Sequence, residues 1–381
     1  MSRRKSDSSP RFWSRRRFGF LGLLCLTGCE PRSEARRPTQ LRVAGPSMNP
    51  TLWGRHRRLE CAQCRVKTRV DEVFVQRCLT RPKQYPASCW QCGNDWTQDQ
   101  IRSSPWQSPD VVKVTQANPD EYRCGDLILV QVEDEFHIKR LLGRPGERID
   151  RQPSGRLTNV DQPWQFSKPQ VPVDFDQHRR ETRWSFSPSN HWQRHAGGIW
   201  KRASRSPQDN MRPASEAIYQ HRSVDRFDVA SFVSDAYPGN LGLSRRLHPV
   251  DRVTAKWRVT RSDGTTHASQ RAIDPAPRDG RLLFELFDSD VIQIADMQLW
   301  RDVEYADHAA DSNARYPIEL GSDQWFVAGD NGPVSIDSRH WGPVSTNALL
   351  GKVDSRRTLR PFAARTPIGA PIGRHFLASE R

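Results

Sequence analysis

Apolar residues in this chain come in short runs and in strict alternation. Val253, Ala255, Trp257 and Val259 share one face of an extended segment, and Thr254, Lys256, Arg258 and Thr260 share the other. That period of two is the mark of a half-buried strand. Ser262-Asp263-Gly264 supplies the turn that follows. Leu282, Phe284 and Leu286, and then Val291 to Leu299, predict further strands. Upstream, Leu127-Ile128-Leu129-Val130 and Phe136 to Leu142 predict a strand pair, with Gln152-Pro153-Ser154-Gly155 as a turn beyond it. Leu41-Arg42-Val43 predicts a strand leading to Ser47. The chain is therefore expected to be mostly β. Residues 161–320 are expected to form a small β-sandwich or an extended sheet, a structural insertion rather than a ligand site. Their first half, to about Arg245, is polar and rich in Arg, Gln and Trp, and predicts no elements.

The N-terminus carries a different pattern. Arg3, Arg4 and Lys5 give a basic start, and Ser14-Arg15-Arg16-Arg17-Phe18 resembles a twin-arginine export signal. The apolar run Phe18–Leu26 is about ten residues, against roughly 20 for a membrane-spanning helix, so its length is that of a signal h-region. Leu26-Thr27-Gly28-Cys29 resembles a lipobox, with Cys29 as the lipid anchor; a short uncleaved hydrophobic anchor is the alternative. Either reading holds the chain at a membrane, with residues 30–381 on the extracytoplasmic side. Residues 30–40 read as a short linker and 356–381 as a basic tail.

Composition narrows the partners. Only 35% of residues are hydrophobic, so any core is economical. Lys and Arg number 59 against 44 Asp and Glu, a net charge of +15. That charge favours an anionic surface, nucleic acid or phospholipid. The arginines are scattered and no nucleic-acid-binding signature accompanies them, which leaves a membrane surface as the expected partner, or simply a solvated basic surface.

Four cysteines stand in two knuckles, Cys61-x-x-Cys64 and Cys89-x-x-Cys92, separated by 24 residues. Residues 53–105 thus resemble a zinc ribbon, in which each knuckle offers two thiolates to a tetrahedral ion at ~2.3 Å. Two disulfides are the competing reading, since an exported chain lives where they persist. A thioredoxin-like role lacks its βαβ pattern. Cys78 and Cys124 receive no role.

Ser47 lies in Gly45-Pro46-Ser47-Met48-Asn49-Pro50-Thr51-Leu52. Pro46 fixes its own φ and biases Gly45 toward an extended form, and Pro50 discourages helix at Asn49. The backbone around Ser47 is expected to be stiff and extended. Later come Phe136-His137-Ile138-Lys139-Arg140, ending in Pro145-Gly146, and Gly329-Asp330-Asn331 with Ser335-Ile336-Asp337-Ser338-Arg339-His340-Trp341-Gly342. In this order the three segments resemble the boxes of bacterial type I signal peptidase, and Gly125-Asp126 resembles the remaining box. The resemblance covers residues 41–52, 124–150 and 325–353. It implies a signal-peptidase-like antiparallel β catalytic domain (30–52, 106–160 and 321–355), interrupted by the ribbon (53–105) and by the β-rich insertion (161–320).

The resemblance also implies a chemistry. A serine hydroxyl needs a base, and none of the 11 histidines has a triad context. A Ser-Lys dyad is the other solution, with Ser47 as nucleophile and Lys139 as base. In a strand, Lys139 shares a face with His137 and Leu141. Its ordinary pKa near 10.4 must fall toward about 7, so it is expected to be desolvated and without a carboxylate partner. By resemblance Ser335 orients Lys139, and Asp337 pairs with Arg339 to shape the loop. Gly45 stands where one branch of the family has an oxyanion-hole serine, which leaves the Ser47 backbone N–H as the expected donor. The implied activity is a membrane-anchored serine endopeptidase that removes signal peptides from precursors, with no cofactor in catalysis. A self-cleaving repressor-type Ser-Lys domain is a rival that the export signal opposes. The non-enzymatic alternative is an inactive envelope lipoprotein acting as a binding module.

Overall fold

The structure, a computed structural model, describes residues 39–83, 87–175, 183–187, 189–203, 215–222, 230–235, 237, 248–274, 276–277, 279–286, 290–307 and 314–354. The residues read as an export signal, the lipid-anchor candidate Cys29 and the stretch read as a basic tail lie outside the described residues. Among the described residues, no helix is long and apolar enough to cross a membrane.

In chain order, β1 (Gln40–Arg42) precedes the Ser47 segment. The ribbon follows as β2 (His56–Glu60), β3 (Lys67–Asp71), α1 (Glu72–Thr80), α2 (Gln98–Ser103) and β4 (Trp106–Gln107). Then come β5 (Val111–Thr115), β6 (Leu127–Val132), β7 (Glu135–Gly143), β8 (Arg148–Arg151) and β9 (Leu157–Asn159). The insertion holds β10 (Gln170–Phe175), β11 (Trp184–Ser187), β12 (Trp192–His195), β13 (Ile199–Arg202), β14 (Ser215–Gln220), β15 (Val253–Arg261), β16 (Thr266–Ile273), β17 (Arg281–Leu286) and β18 (Val291–Asp302). The chain closes with β19 (Ile318–Glu319), β20 (Gln324–Ala328), α3 (Ser338–Trp341), β21 (Val344–Ser345) and β22 (Leu349–Asp354).

The site is built on an antiparallel seven-stranded sheet in the order β1-β5-β22-β6-β7-β20-β21. The predicted β6–β7 pair sits at its centre, with Ile128 opposite Lys139. One apolar cluster packs Val43, Met48 and Leu52 with Val112, Val114, Leu127 and Leu129. Met48 and Leu52 therefore anchor the segment that displays Ser47. A second cluster packs Leu141 with Tyr122, Ile128, Trp325 and Val327. The turn at 152–155 joins β8 to β9 as expected, Gly155 donating to the Gln152 carbonyl at 2.8 Å.

The insertion is a two-sheet body. One sheet runs β12-β13-β18-β15-β16 with β10 added on β18, and the other β11-β14-β17. Val253, Ala255, Trp257 and Val259 are all buried, as their alternation requires. The polar stretch from 161 to 245, from which no element was expected, supplies β10 to β14. Its tryptophans explain how so polar a segment finds a core. Trp184, Phe186, Trp192 and Trp200 join Trp257 and Phe284 between the sheets, with Phe186 4.6 Å from the Trp200 ring. Truncating one such ring costs about 3–5 kcal/mol, so a handful offset a low apolar content.

Candidate active site

Strand β7 delivers Lys139 and Arg140 to opposite sides of the sheet. Lys139 is 2% exposed, and its Nζ donates to Ser335 Oγ at 3.0 Å. Trp341 covers this side, its ring centre 5.8 Å from Nζ and 5.1 Å from the His137 ring. Among the described residues, Lys139 makes no ion pair. Burial, partly opposed by Asp337, lowers its pKa from 10.5 to about 8. Burial and then the Lys139 charge lower that of His137.

Ser335 is fixed by the loop that carries it. Asp337 caps the short helix α3. Both its oxygens engage Arg339, Nε to Oδ1 at 2.7 Å and Nη2 to Oδ2 at 2.5 Å. The pair is 0% and 1% exposed. Oδ2 also accepts the Gly329 N–H at 2.8 Å, and Arg339 Nη1 donates to the Ala306 carbonyl at 2.6 Å. Burial pushes the Asp337 carboxyl up, but Arg339 outweighs it and holds the group at about 2. A planar fork against a carboxylate gives two parallel bonds, which fixes direction as well as distance.

The Ser47 segment departs from expectation. It is a hydrogen-bonded turn, not an extended run: Asn49 N donates to the Pro46 carbonyl at 3.1 Å and Leu52 N to that of Met48 at 3.0 Å. Gly45 adopts φ +70, which glycine enters without a Cβ penalty. Its backbone lies against Gly54, where a Cβ would stand 2.8 Å from Gly45 N. Asn331, named in the sequence only within the last box, clamps this segment. Its N–H donates to the Ser47 carbonyl and its Nδ2 to that of Pro46, both at 3.0 Å.

Gly329 lies between the Ser335 hydroxyl and the backbone carbonyl of Ser47. A Cβ there would overlap Ser335 Oγ and stand 2.5 Å from Ser47 O. Both groups thus rest on one Cα, and Lys139 is bonded to the first of them. Gly329→Ala is expected to push them apart, lowering any hydrolysis that needs them by about 10²-fold and destabilising the site locally, since the Ser47 backbone must shift. Peptide-cleavage rates beside a circular dichroism spectrum check this.

A further buried group escaped the sequence reading. Asp330 accepts from Arg140 Nε at 2.7 Å, from Tyr305 Oη at 2.7 Å and from Thr51 Oγ1. This ties the Ser47 box, the Lys139 strand and the last box to the end of the insertion. The Lys-Arg and Gly-Asp pairs were visible, but nothing in the sequence marks Tyr305 as their partner.

Comparison with known families now bears on this arrangement. Residues 201–357 match the family described as signal peptidase, peptidase S26. The match bears out the resemblance read from the boxes, and supports a signal-peptidase-like function in general terms. It covers less than half of the chain. It contains Ser335, Asp337 and Arg339, runs back through much of the insertion, and lies beyond Ser47 and Lys139. No curated protein matches the chain.

The ribbon brings its four knuckle cysteines together, with all Sγ atoms within 4.8 Å of one another. Cys61 and Cys92, and Cys64 and Cys89, lie 3.6 Å apart. Bonded sulfurs stand at about 2.05 Å, so these are free thiols, as are Cys78 in the ribbon core and the half-buried Cys124. Four thiolates in a compact cluster suit a structural metal site that leaves no position open.

Proposed function

We propose that the chain is a membrane-anchored serine endopeptidase that removes signal peptides on the extracytoplasmic side. Ser47 is the nucleophile and Lys139 the base. The observation that carries this reading is the buried amine of Lys139, free of any ion pair among the described residues and bonded to Ser335, whose loop carries the Asn331 N–H that donates to the Ser47 carbonyl. A neutral amine keeps its lone pair while Ser335 Oγ accepts one N–H, which leaves that lone pair to take the Ser47 proton. The alkoxide oxygen attacks the scissile carbonyl. Lys139 then returns the proton to the leaving amine, and water, activated by the same base, hydrolyses the ester. Among the described residues the Ser47 N–H has no acceptor, which suits it to donate to the developing oxyanion. No cofactor enters these steps.

The substrates on this reading are signal-peptide-bearing precursors, and the net charge of +15 draws the chain to anionic lipid. Zinc bound by Cys61, Cys64, Cys89 and Cys92 has a structural part only. The test is incubation of the full chain, in vesicles, with a precursor carrying small residues before its cleavage site. Cleavage is expected from the wild type and none from Ser47→Ala. A silent wild type with intact fold overturns the reading in favour of the binding module.

A further inference from the structure

We propose that the metal-loaded ribbon is a brace for the candidate active site, transmitting its order through Gln91 and strand β18. The proposal rests on the zinc reading just given and goes beyond it.

The two knuckles share one geometry. Arg65 N donates to the Cys61 carbonyl at 2.9 Å, and Gly93 N to that of Cys89 at 2.8 Å. Cys61 N then reaches Val66 O at 3.0 Å, and Cys89 N reaches Asn94 O at 2.8 Å. The residue after each second cysteine takes positive φ, 62 at Arg65 and 75 at Gly93. Paired knuckles of this form aim four sulfurs at one point. A tetrahedral ion at ~2.3 Å from each sets neighbouring sulfurs about 3.8 Å apart, close to the 3.6 Å seen. A body of about 50 residues has a small core, and a metal is a common remedy.

The second knuckle also reaches outward. Gln91, between Cys89 and Cys92, is buried, and its Nε2 donates to Asp174 Oδ1 at 2.6 Å. Asp174 lies on β10, buried, its other oxygen accepting from Tyr219 Oη at 2.8 Å with Arg183 at 3.6 Å. Trp300, on the adjoining strand β18, packs against the ribbon core. Two strands of the insertion are therefore docked on the metal-bearing loop.

Strand β18 leads directly to the site. Just past its end, Tyr305 Oη donates to Asp330 and the Ala306 carbonyl accepts from Arg339. Those two residues anchor Arg140 and Asp337, which flank Lys139 and Ser335. An ordered knuckle thus positions a strand whose end braces the catalytic loop, while touching no reacting atom.

The experiment measures zinc per chain and hydrogen exchange of the full-length protein, purified without chelator, as wild type and as Gln91→Leu. Gln91→Leu keeps all four thiols. The expected result is one zinc in both proteins, with residues 170–175 and 299–306 exchanging about tenfold faster in the variant. Tyr219→Phe, which keeps the ring and removes one partner of Asp174, is expected to show a smaller rise in the same segments, and serves should Gln91→Leu fail to fold. Full zinc with unchanged exchange in these segments overturns the brace. Wild-type protein without zinc overturns the metal, and precursor cleavage by that same protein still judges the peptidase reading separately.

Discussion

Lys139→Met is expected to abolish cleavage while making the protein more stable at neutral pH. The two effects share one cause. Burial lowers the Lys139 pKa from 10.5 to about 8, a bias against the charged amine of about 3 kcal/mol at ~1.36 kcal/mol per pH unit. Between about pH 8 and 10.5 the unfolded chain holds a proton that the folded chain has lost. Stability therefore rises with pH across that window, and below it the full cost of burying the ammonium remains. Methionine fills the same volume without the charge. It is expected to recover up to about 3 kcal/mol at pH 7 and to erase the rise between pH 8 and 10.5. Wild-type cleavage is expected to climb with pH through about 8, as the amine becomes neutral. Denaturant titrations across pH, run beside rate measurements, check all three statements. An equally stable variant, or a wild-type rate flat from pH 6 to 9, contradicts them.

Arg339→Met is expected to have the largest destabilising effect of any single change at the site. It strips a fully buried carboxylate of both its parallel hydrogen bonds. Removing one partner of such a pair costs about 3–5 kcal/mol, because the other charge stays buried alone. The loss reaches Lys139 as well. Asp337 favours the charged amine and Arg339 opposes it, so without Arg339 the midpoint of the pH–rate curve is expected to move upward. Adding Asp337→Asn removes the orphaned charge, and is expected to recover part of the stability and return the midpoint. Melting curves and pH–rate profiles of the single and double variants check this.

What the sequence made legible was local. Alternation alone located β15, because Val253, Ala255, Trp257 and Val259 are buried on one face while Lys256, Arg258 and Thr260 on the other are only half-buried; its partner β16 has no buried face to mark it. The boxes around Ser47, Lys139 and Ser335 were legible through their resemblance to those of a known family, which the match over residues 201–357 bears out. The Ser47 turn was misread as extended, since the proline rules are local and Asn331, far away in sequence, clamps the Pro46 and Ser47 carbonyls. Strands β10 to β14 were missed because their core is made of widely spaced tryptophans among polar residues, which yields no period. Tyr305 was missed because its partner Asp330 is 25 positions away, and only the fold brings the two together.

The order of strands has a consequence for the newly made protein. β22, the last strand described, lies between β5 and β6 in the central sheet. A nascent chain still lacking residues 349–354 has a gap in the platform under Lys139, and no Ser335 loop until shortly before. Such long-range closure comes late in folding. On the proposed peptidase reading, a nascent chain not yet extended through residue 354 is thus unable to cut.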